Sequence, residues 1–329
     1  MTSPSPILVT GAAGFIGFHT AKRLLERGED VVGIDNLSDY YEVSLKNARL
    51  KELSAFEKFS FVKVDISDKA AMEALWADKG PFTRVVHLAA QAGVRYSLKN
   101  PYTYISTNCM GHVTILEMCR HTTGFEHLVY ASSSSVYGGN TKLPFSVQDE
   151  VNKPLSLYAA TKRSGELMSE TYSHLYGIKQ TGLRFFTVYG PWGRPDMAPF
   201  IFTRAIANGE KVPVFNHGKM SRDFTYIDDI VSGVVSSLDT PACAQKDECL
   251  HRVFNIGNTQ SEDLMDFIGF IEQELGKTAN IEFMDMQAGD VQQTYADVSE
   301  TSAAIGYKPT TPISEGVPQF VAWYKSFYG

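Results

Sequence analysis

The sequence predicts an α/β protein: a doubly wound parallel sheet joined to a smaller mixed α/β lobe. Three observations predict it. Short apolar runs alternate with amphipathic stretches from the first residues, the connections between them are short, and the rhythm breaks near Gly190, where prolines crowd one segment. Strand–helix alternation with short connections is the pattern of parallel strands joined by right-handed crossovers.

In order along the chain, Ile7–Thr10 reads as a buried strand and Phe15–Arg27 as an amphipathic helix stopped by Gly28. Strands follow at Val31–Asp35, Phe59–Val64, Arg84–Leu88, His127–Ala131 and Lys179–Phe185. Helical periodicity fills the intervals at Glu42–Leu53, Asp68–Trp76, Tyr102–His121 and Leu157–Tyr176. Pro191, Trp192, Gly193, Pro195 and Pro199 then mark a loop. Beyond it we expect a short helix, a strand near Val212–Phe215, a helix entered through Asp223–Asp229, and a strand at Val253–Gly257. Helix and short strand mix over Glu262–Tyr328. Residues 1–189 therefore form the main domain and 190–329 mainly the second lobe, with elements around 225–258 returning to the first.

Composition narrows the function classes. The 329 residues are 43% apolar and 20% charged with a net charge of −7, ordinary for a globular protein and no basis for binding nucleic acid or an anionic membrane. Cys109, Cys119, Cys243 and Cys249 form no C-x-x-C pair and no finger spacing with histidine, and the eight histidines include no H-E-x-x-H, so no metal site is expected. Unpaired thiols suit a reducing compartment. The short polar stretch Met1–Pro6 lacks a basic region, and no apolar run approaches a membrane-spanning length, so the expected location is the cytoplasm.

Chemistry begins at Gly11-Ala12-Ala13-Gly14-Phe15-Ile16-Gly17, which follows the first strand and opens the first helix as G-x-x-G-x-x-G. Glycines there permit a tight turn, close approach of backbone to a pyrophosphate, and close helix–strand packing, while the helix N-terminus offers N–H groups to the phosphates. This makes the main domain Rossmann-type. Asp35 ends the second strand eighteen positions after Gly17 (17 to 35), near the spacing at which a carboxylate reaches the adenosine ribose. It would repel a 2′-phosphate, which favours NAD over NADP. Asp65-Ile66, after the third strand, either brackets the adenine or simply caps the strand end.

Tyr158-Ala159-Ala160-Thr161-Lys162 places a tyrosine and a lysine one helical turn apart on one face. A phenol titrates near ~10, too high for a base at neutral pH, but a cation one turn away and a positive nicotinamide nearby favour the phenolate. Such a tyrosine serves as general base for an alcohol. Ser132-Ser133-Ser134-Ser135-Val136-Tyr137-Gly138 follows the fifth strand, at the end of the sheet where ligands bind. It is either a hydroxyl-rich site for a sugar or carbonyl, or a polar turn. Asn108, in the helix before it, is either structural or helps to place Lys162.

Taken together, these motifs resemble the extended short-chain dehydrogenase/reductase superfamily and, within it, the UDP-glucuronate 4-epimerases. The resemblance is carried by Ala90–Ser97, Tyr130–Gly138, Ser156–Lys162, Leu183–Met197 and Arg222–Asp229, and runs from Ile7 to Tyr328. Gly190-Pro191-Trp192-Gly193-Arg194-Pro195-Asp196-Met197 is the more telling marker of a uronate substrate. The resemblance implies a tightly bound NAD, regenerated each cycle, and a UDP-sugar as substrate. Tyr158 takes the proton of the 4-hydroxyl, Ser133 assists it, and a transient 4-keto sugar rotates before it is reduced on its other face. The cofactor is expected against Gly11, Ala13, Gly14, Phe15, Ile16, Gly17, Asp35, Asn36, Asp65, Ile66, Leu88, Ala89, Ala90, Asn108, Ser132, Tyr158, Lys162, Phe186 and Val188. Arg222 and Asp290 are expected near the UDP, and Phe215 against the uracil.

Two chemical points refine the reaction. Ser134-Ser135 stand where related dehydratases often carry Asp-Glu, and serines without an activating base are poor at eliminating water. Oxidising C4 of a uronate gives a β-keto acid, which loses carbon dioxide fastest when the bond to the carboxylate lies perpendicular to the carbonyl plane. Thr187, Ser134 and Ser135 are therefore expected to hold the carboxylate, with Arg194 as its natural ionic partner. Arg95 either reaches a phosphate or the sugar, or stays an exposed loop residue. The alternatives are a UDP-glucose 4-epimerase, a uronate decarboxylase or a dehydratase on the same fold, or an NAD-binding regulator without chemistry. The helices Tyr102–His121 and Leu157–Tyr176 could pair with their copies in a homodimer, as the family's do, or pack within one chain.

Overall fold

The computed structural model describes residues 5–242, 250–286 and 291–329. Its first half runs β1 (Ile7–Thr10), α1 (Phe15–Glu26), β2 (Val31–Asp35), α2 (Val43–Leu53), β3 (Phe59–Lys63), α3 (Lys69–Lys79), β4 (Arg84–His87), α4 (Tyr96–Lys99), α5 (Pro101–Tyr104), a π-helical stretch Ile105–Met110, α6 (Gly111–Arg120), β5 (His127–Ser133) and α7 (Leu157–Tyr176). The second half runs β6 (Gln180–Phe185), β7 (Thr187–Tyr189), α8 (Ala198–Asn208), β8 (Lys211–Phe215), β9 (Ser221–Arg222), β10 (Phe224–Tyr226), α9 (Ile227–Asp239), β11 (His251–Ile256), β12 (Glu262–Asp263), α10 (Leu264–Leu275), β13 (Asn280–Met284), α11 (Ser299–Ile305) and α12 (Ile313–Tyr328).

Seven strands form one sheet in the order β11-β6-β5-β4-β1-β2-β3. Every pairing in it is parallel. The order reverses at β1, so β1 and β4 flank the switch point where a crevice opens beyond the strand ends. Strands covered on both faces are buried along their length and mainly apolar, and β1 and β2 show this up to Thr10 and Asp35 at their ends, whereas the edge strand β3 is only partly covered. Alternation along β1 sends Ile7 and Val9 into one core and Leu8 into the other. The first core takes Phe15, Phe18 and Leu24 from α1 with Ile230 and Val234 from α9, and continues to Phe200, Phe267 and Phe320 of the smaller lobe. The second core takes Met72 and Leu75 from α3 with Ile115 and Leu116 from α6. In the smaller lobe β8 and β13 pair in parallel, beside the short pairs β7–β10 and β9–β12.

The helix expected over Tyr102–His121 is not continuous. Pro101 starts a short α5, and the π-helical stretch intervenes before α6. An extra residue per turn suits a side chain that must leave the regular face. Asn108, inside the stretch, accepts from the Gln91 N–H (2.8 Å) and donates to the Gln91 carbonyl (3.0 Å). β5 also runs two residues past Ala131, carrying Ser132 and Ser133 to the end of the sheet. The helix α7 begins and ends on local signals: Ser156 accepts from the Ala159 N–H (3.1 Å) at its start, and Gly177 at φ +71° closes it. Among the described residues, no helix is long and apolar enough to cross a membrane, and no cluster of His, Cys, Asp and Glu could hold a metal ion.

Candidate active site

A cleft of about 930 Å³ opens at the C-terminal ends of the strands and takes walls from both lobes. Its floor is the glycine turn after β1. Gly11 sits at φ +71°, and a Cβ there would stand 2.8 Å from the Ala89 nitrogen. A Cβ on Gly17 would stand 2.0 Å from the Gly11 carbonyl oxygen, so α1 can approach β1 this closely only through glycine. Gly11, Gly14, Phe15, Ile16 and Gly17 line the cleft. Ala13, expected beside the cofactor, does not: it is fully buried, and its carbonyl accepts from Arg49 (2.8 Å).

Asp35, Asn36, Asp65 and Ile66 line one end of the cleft. Asp35 accepts from the Leu37 N–H (2.8 Å) and lies 3.8 Å from the Lys46 ammonium, a cation that reaches it from α2 although no basic residue follows it directly in sequence. Asn36 donates to Asp65 (2.8 Å). Burial opposes ionisation of Asp65, but hydrogen bonds from Asn36 and Ser67 hold its carboxyl below the usual value. Leu88, Ala89 and Ala90 line the middle, beyond β4. Glycine backbone that lets a phosphate approach, the N–H groups of a helix N-terminus and a terminal carboxylate on β2 fit a dinucleotide's pyrophosphate and adenosine ribose.

Tyr158, Lys162, Ser132–Ser135, Phe186, Thr187 and Val188 form the opposite wall. The Lys162 ammonium is 6.0 Å from the centre of the Tyr158 ring and donates to the Ala131 carbonyl (2.9 Å). Burial lowers the Lys162 pKa to about 8, with Cys109 opposing slightly. Burial also pushes the Tyr158 phenol up, while the Ser133 hydroxyl and the Arg194 charge pull it down and Asp196 adds to the rise. The Lys162 ammonium is thus held on the β5 carbonyl rather than on the Tyr158 hydroxyl.

Ser133 accepts from the Ser135 N–H (3.2 Å) and donates to the Ser135 hydroxyl (3.1 Å), which turns the chain into a short 3₁₀ helix, Ser134–Tyr137. Ser132 donates to buried Glu166 (2.6 Å). Glu166 in turn is forked by Arg184 (2.8 and 2.9 Å) and takes a third bond from Arg163 (2.9 Å). No motif in the sequence marks this network. Its one local signal is that Glu166 lies one turn beyond Lys162 on the same helix. Asn108, expected at the cofactor, does not line the cleft. Its side chain donates to Thr161 (3.1 Å), the residue before Lys162, and it borders a separate small cavity behind Lys162 with His87, His112 and Tyr130.

Residues expected on the sugar side are brought to the cleft, but already partnered. Arg194 forks onto Asp196 (3.0 and 2.5 Å), and Tyr40 donates to the same carboxylate (3.0 Å). Burial opposes the charge on Arg194, and Asp196 more than restores it. The Arg95 guanidinium lies 4.6 Å from the centre of the Phe215 ring, so one face of that ring is taken. Arg222 donates to the carbonyls of Ser221 (2.9 Å) and Gln292 (3.0 Å) at the cleft edge. Asp290 lies outside the described residues. Tyr40, Tyr41 and Lys46 also line the cleft without any motif to mark them, as does Asp196, which the sequence marks only as part of the Gly190–Met197 stretch.

Residues 7–257 match the model of the NAD dependent epimerase/dehydratase family. The chain is 51% identical to the protein CapI of Staphylococcus aureus over 98% of this chain and 99% of that one. It is 48% identical to UDP-glucuronate 4-epimerase 3 of Arabidopsis thaliana over 98% of this chain and 77% of that one. The crystal structure of the UDP-glucuronic acid 4-epimerase of Bacillus cereus, in complex with UDP-glucuronic acid and NAD, superposes with a TM-score of 0.89 at 35% identity, covering 98% and 100% of the two chains.

Proposed function

The chain belongs to the NAD dependent epimerase/dehydratase family, and we propose that within it the protein interconverts UDP-glucuronate and UDP-galacturonate at C4. The observation that carries this reading is the meeting, in one cleft, of Tyr158 and Ser133 with Arg194, Thr187 and the serine pair Ser134-Ser135, opposite the glycine turn. A general base for an alcohol stands beside a carboxylate-binding set, which a neutral hexose does not require.

NAD, held by the glycine turn, Asp35, Asn36, Asp65 and the wall from Leu88 to Ala90, supplies a reversible acceptor for the hydrogen on C4. Tyr158 accepts the proton of the 4-hydroxyl, with the Ser133 hydroxyl hydrogen-bonded to it. Lys162, anchored on the Ala131 carbonyl, holds a positive charge behind that step. The 4-keto sugar turns over within the cleft, and Tyr158 returns the proton to the 4-oxygen. Ser134, Ser135 and Thr187 hydrogen-bond the carboxylate throughout, and Arg194 offers it the donors that Asp196 leaves unused. Phe186 and Val188 border the nicotinamide side, Arg222 serves the diphosphate, and Phe215 and Arg95 form the uracil end.

Exposed apolar side chains on α4 to α7, including Leu98, Tyr102, Met110, Leu167 and Leu175, support a homodimer built on these helices. The unpaired thiols of Cys109 and Cys119 support a reducing compartment, the cytoplasm. The deciding experiment is purified protein with UDP-glucuronate and no added NAD, followed by NMR of the products. Formation of UDP-galacturonate is expected. NADH accumulating in step with consumed substrate would instead identify an ordinary dehydrogenase.

A further inference from the structure

Arg194 stands in a loop whose own sequence does not order a long side chain, so something else must aim it. The structure shows two ties. The first is Tyr40, whose hydroxyl donates to Asp196 (3.0 Å), the carboxylate that forks Arg194. The Tyr40 ring packs on Tyr96 at 4.8 Å, and Gly93 leaves room for its hydroxyl, since a Cβ there would stand 2.7 Å from that oxygen. The second tie is Arg49. Its guanidinium is wholly buried, and among the described residues no carboxylate pairs with it; of its two terminal nitrogens, one donates to the Ala13 carbonyl and the Tyr41 hydroxyl (both 2.8 Å). The other donates to the carbonyls of Trp192 (2.6 Å) and Gly193 (3.3 Å), the two residues before Arg194. Trp192 is held at φ +62°, a conformation that side chains resist, between Phe18, Trp323 and Phe327.

Both ties run from the segment after the Asp35 strand to the Arg194 loop, and Arg49 also grips the glycine turn. We propose that Tyr40 and Arg49 are positioning residues that lock Arg194 in register with the nucleotide floor, and so keep the substrate's carboxylate attached. This rests on the reading of Arg194 as a carboxylate donor. In the reaction suppressed, the bond from C5 to the carboxylate carbon of the 4-keto acid breaks. Its electron pair passes into the C4 carbonyl as an enolate, carbon dioxide leaves, and water protonates C5 to give a 4-keto pentose, which either leaves with the cofactor still reduced or takes the hydride back at C4; both count as pentose product. A carboxylate held by a fixed donor does not swing perpendicular to the carbonyl; one held by a loose donor does.

The test is the ratio of pentose to UDP-galacturonate formed from UDP-glucuronate by the NAD-loaded enzyme, read by NMR for wild type, Tyr40→Phe, Arg49→Lys and Arg194→Ala. The second readout is the dissociation constant for UDP-glucuronate relative to UDP-glucose. Tyr40→Phe removes one hydrogen bond to a charged group and is expected to raise the ratio about tenfold and to reduce the preference for the uronate. Arg49→Lys, which cannot reach both loops as a fork, is expected to move the ratio the same way. A purely structural role would change stability or total turnover and leave both ratios alone. If Arg194→Ala raises the pentose ratio but folded Tyr40→Phe does not, this inference is overturned and the function stands, even if Arg49→Lys fails to fold. If Arg194→Ala also leaves the ratio unchanged, the carboxylate reading falls and takes the inference with it.

Discussion

Replacing Lys162 with methionine should make the protein more stable while removing its activity. Lys162 is 8% exposed, and burial lowers its pKa from 10.5 to about 8. The difference, about 2.5 units at about 1.4 kcal/mol each, means that holding Lys162 charged at pH 7 costs about 3.5 kcal/mol of folding free energy. Methionine fills a similar volume and carries no charge, but it forfeits the bond to the Ala131 carbonyl, about 1 kcal/mol. The expected net gain is about 2.5 kcal/mol at pH 7. The sign follows from proton linkage: the folded state binds this proton less tightly than the unfolded state, so the penalty is complete below pH 8 and disappears as pH rises towards 10.5. Wild type should therefore gain on the variant across that window. Urea unfolding of both nucleotide-free proteins at pH 7 and at pH 9.5 measures it. A Lys162→Met variant no more stable than wild type at pH 7, or an advantage that does not shrink with rising pH, would refute the argument.

Three further outcomes follow from the same geometry. Tyr158→Phe should lower epimerisation by about 10²- to 10⁴-fold, the range of general acid–base catalysis, while the purified protein still carries NAD, measured by release and absorbance. Glu166→Ala strips the counter-charge from Arg184, itself 3% exposed, and leaves Ser132 without its acceptor; a loss of about 3–5 kcal/mol is expected in denaturant unfolding, and a loss below about 1 kcal/mol would contradict the network's role. Gly17→Ala puts a methyl 2.0 Å from the Gly11 carbonyl oxygen, so α1 must move off the turn; loss of bound NAD from the purified protein checks it.

Much of this protein was legible in its sequence because the relevant signals are short-range. Strand and helix positions followed from periodicity, and the observed bounds differ by a residue or two at most sites. The break in the helix before β5 was not legible, because it follows from Asn108 bonding a loop seventeen residues earlier (108 to 91). The glycine spacing, the acid ending β2 and the Tyr158–Lys162 turn each occupy one local element, so their presence at the cleft could be stated from residue order.

What sequence alone determined is thus the set of reacting groups and the frame that carries them. The tertiary structure decided their partners. Lys162 spends its ammonium on the Ala131 carbonyl, Ser132 is bound to Glu166, and Arg194 is forked by Asp196 under Tyr40. Arg49 joins turns that lie 36 and 143 residues away, at Ala13 and Trp192. Partnerships of this kind depend on which loops the sheet order brings side by side, and a hydrogen bond is decided within a few tenths of an ångström; periodicity and spacing do not reach that precision until the whole chain has packed.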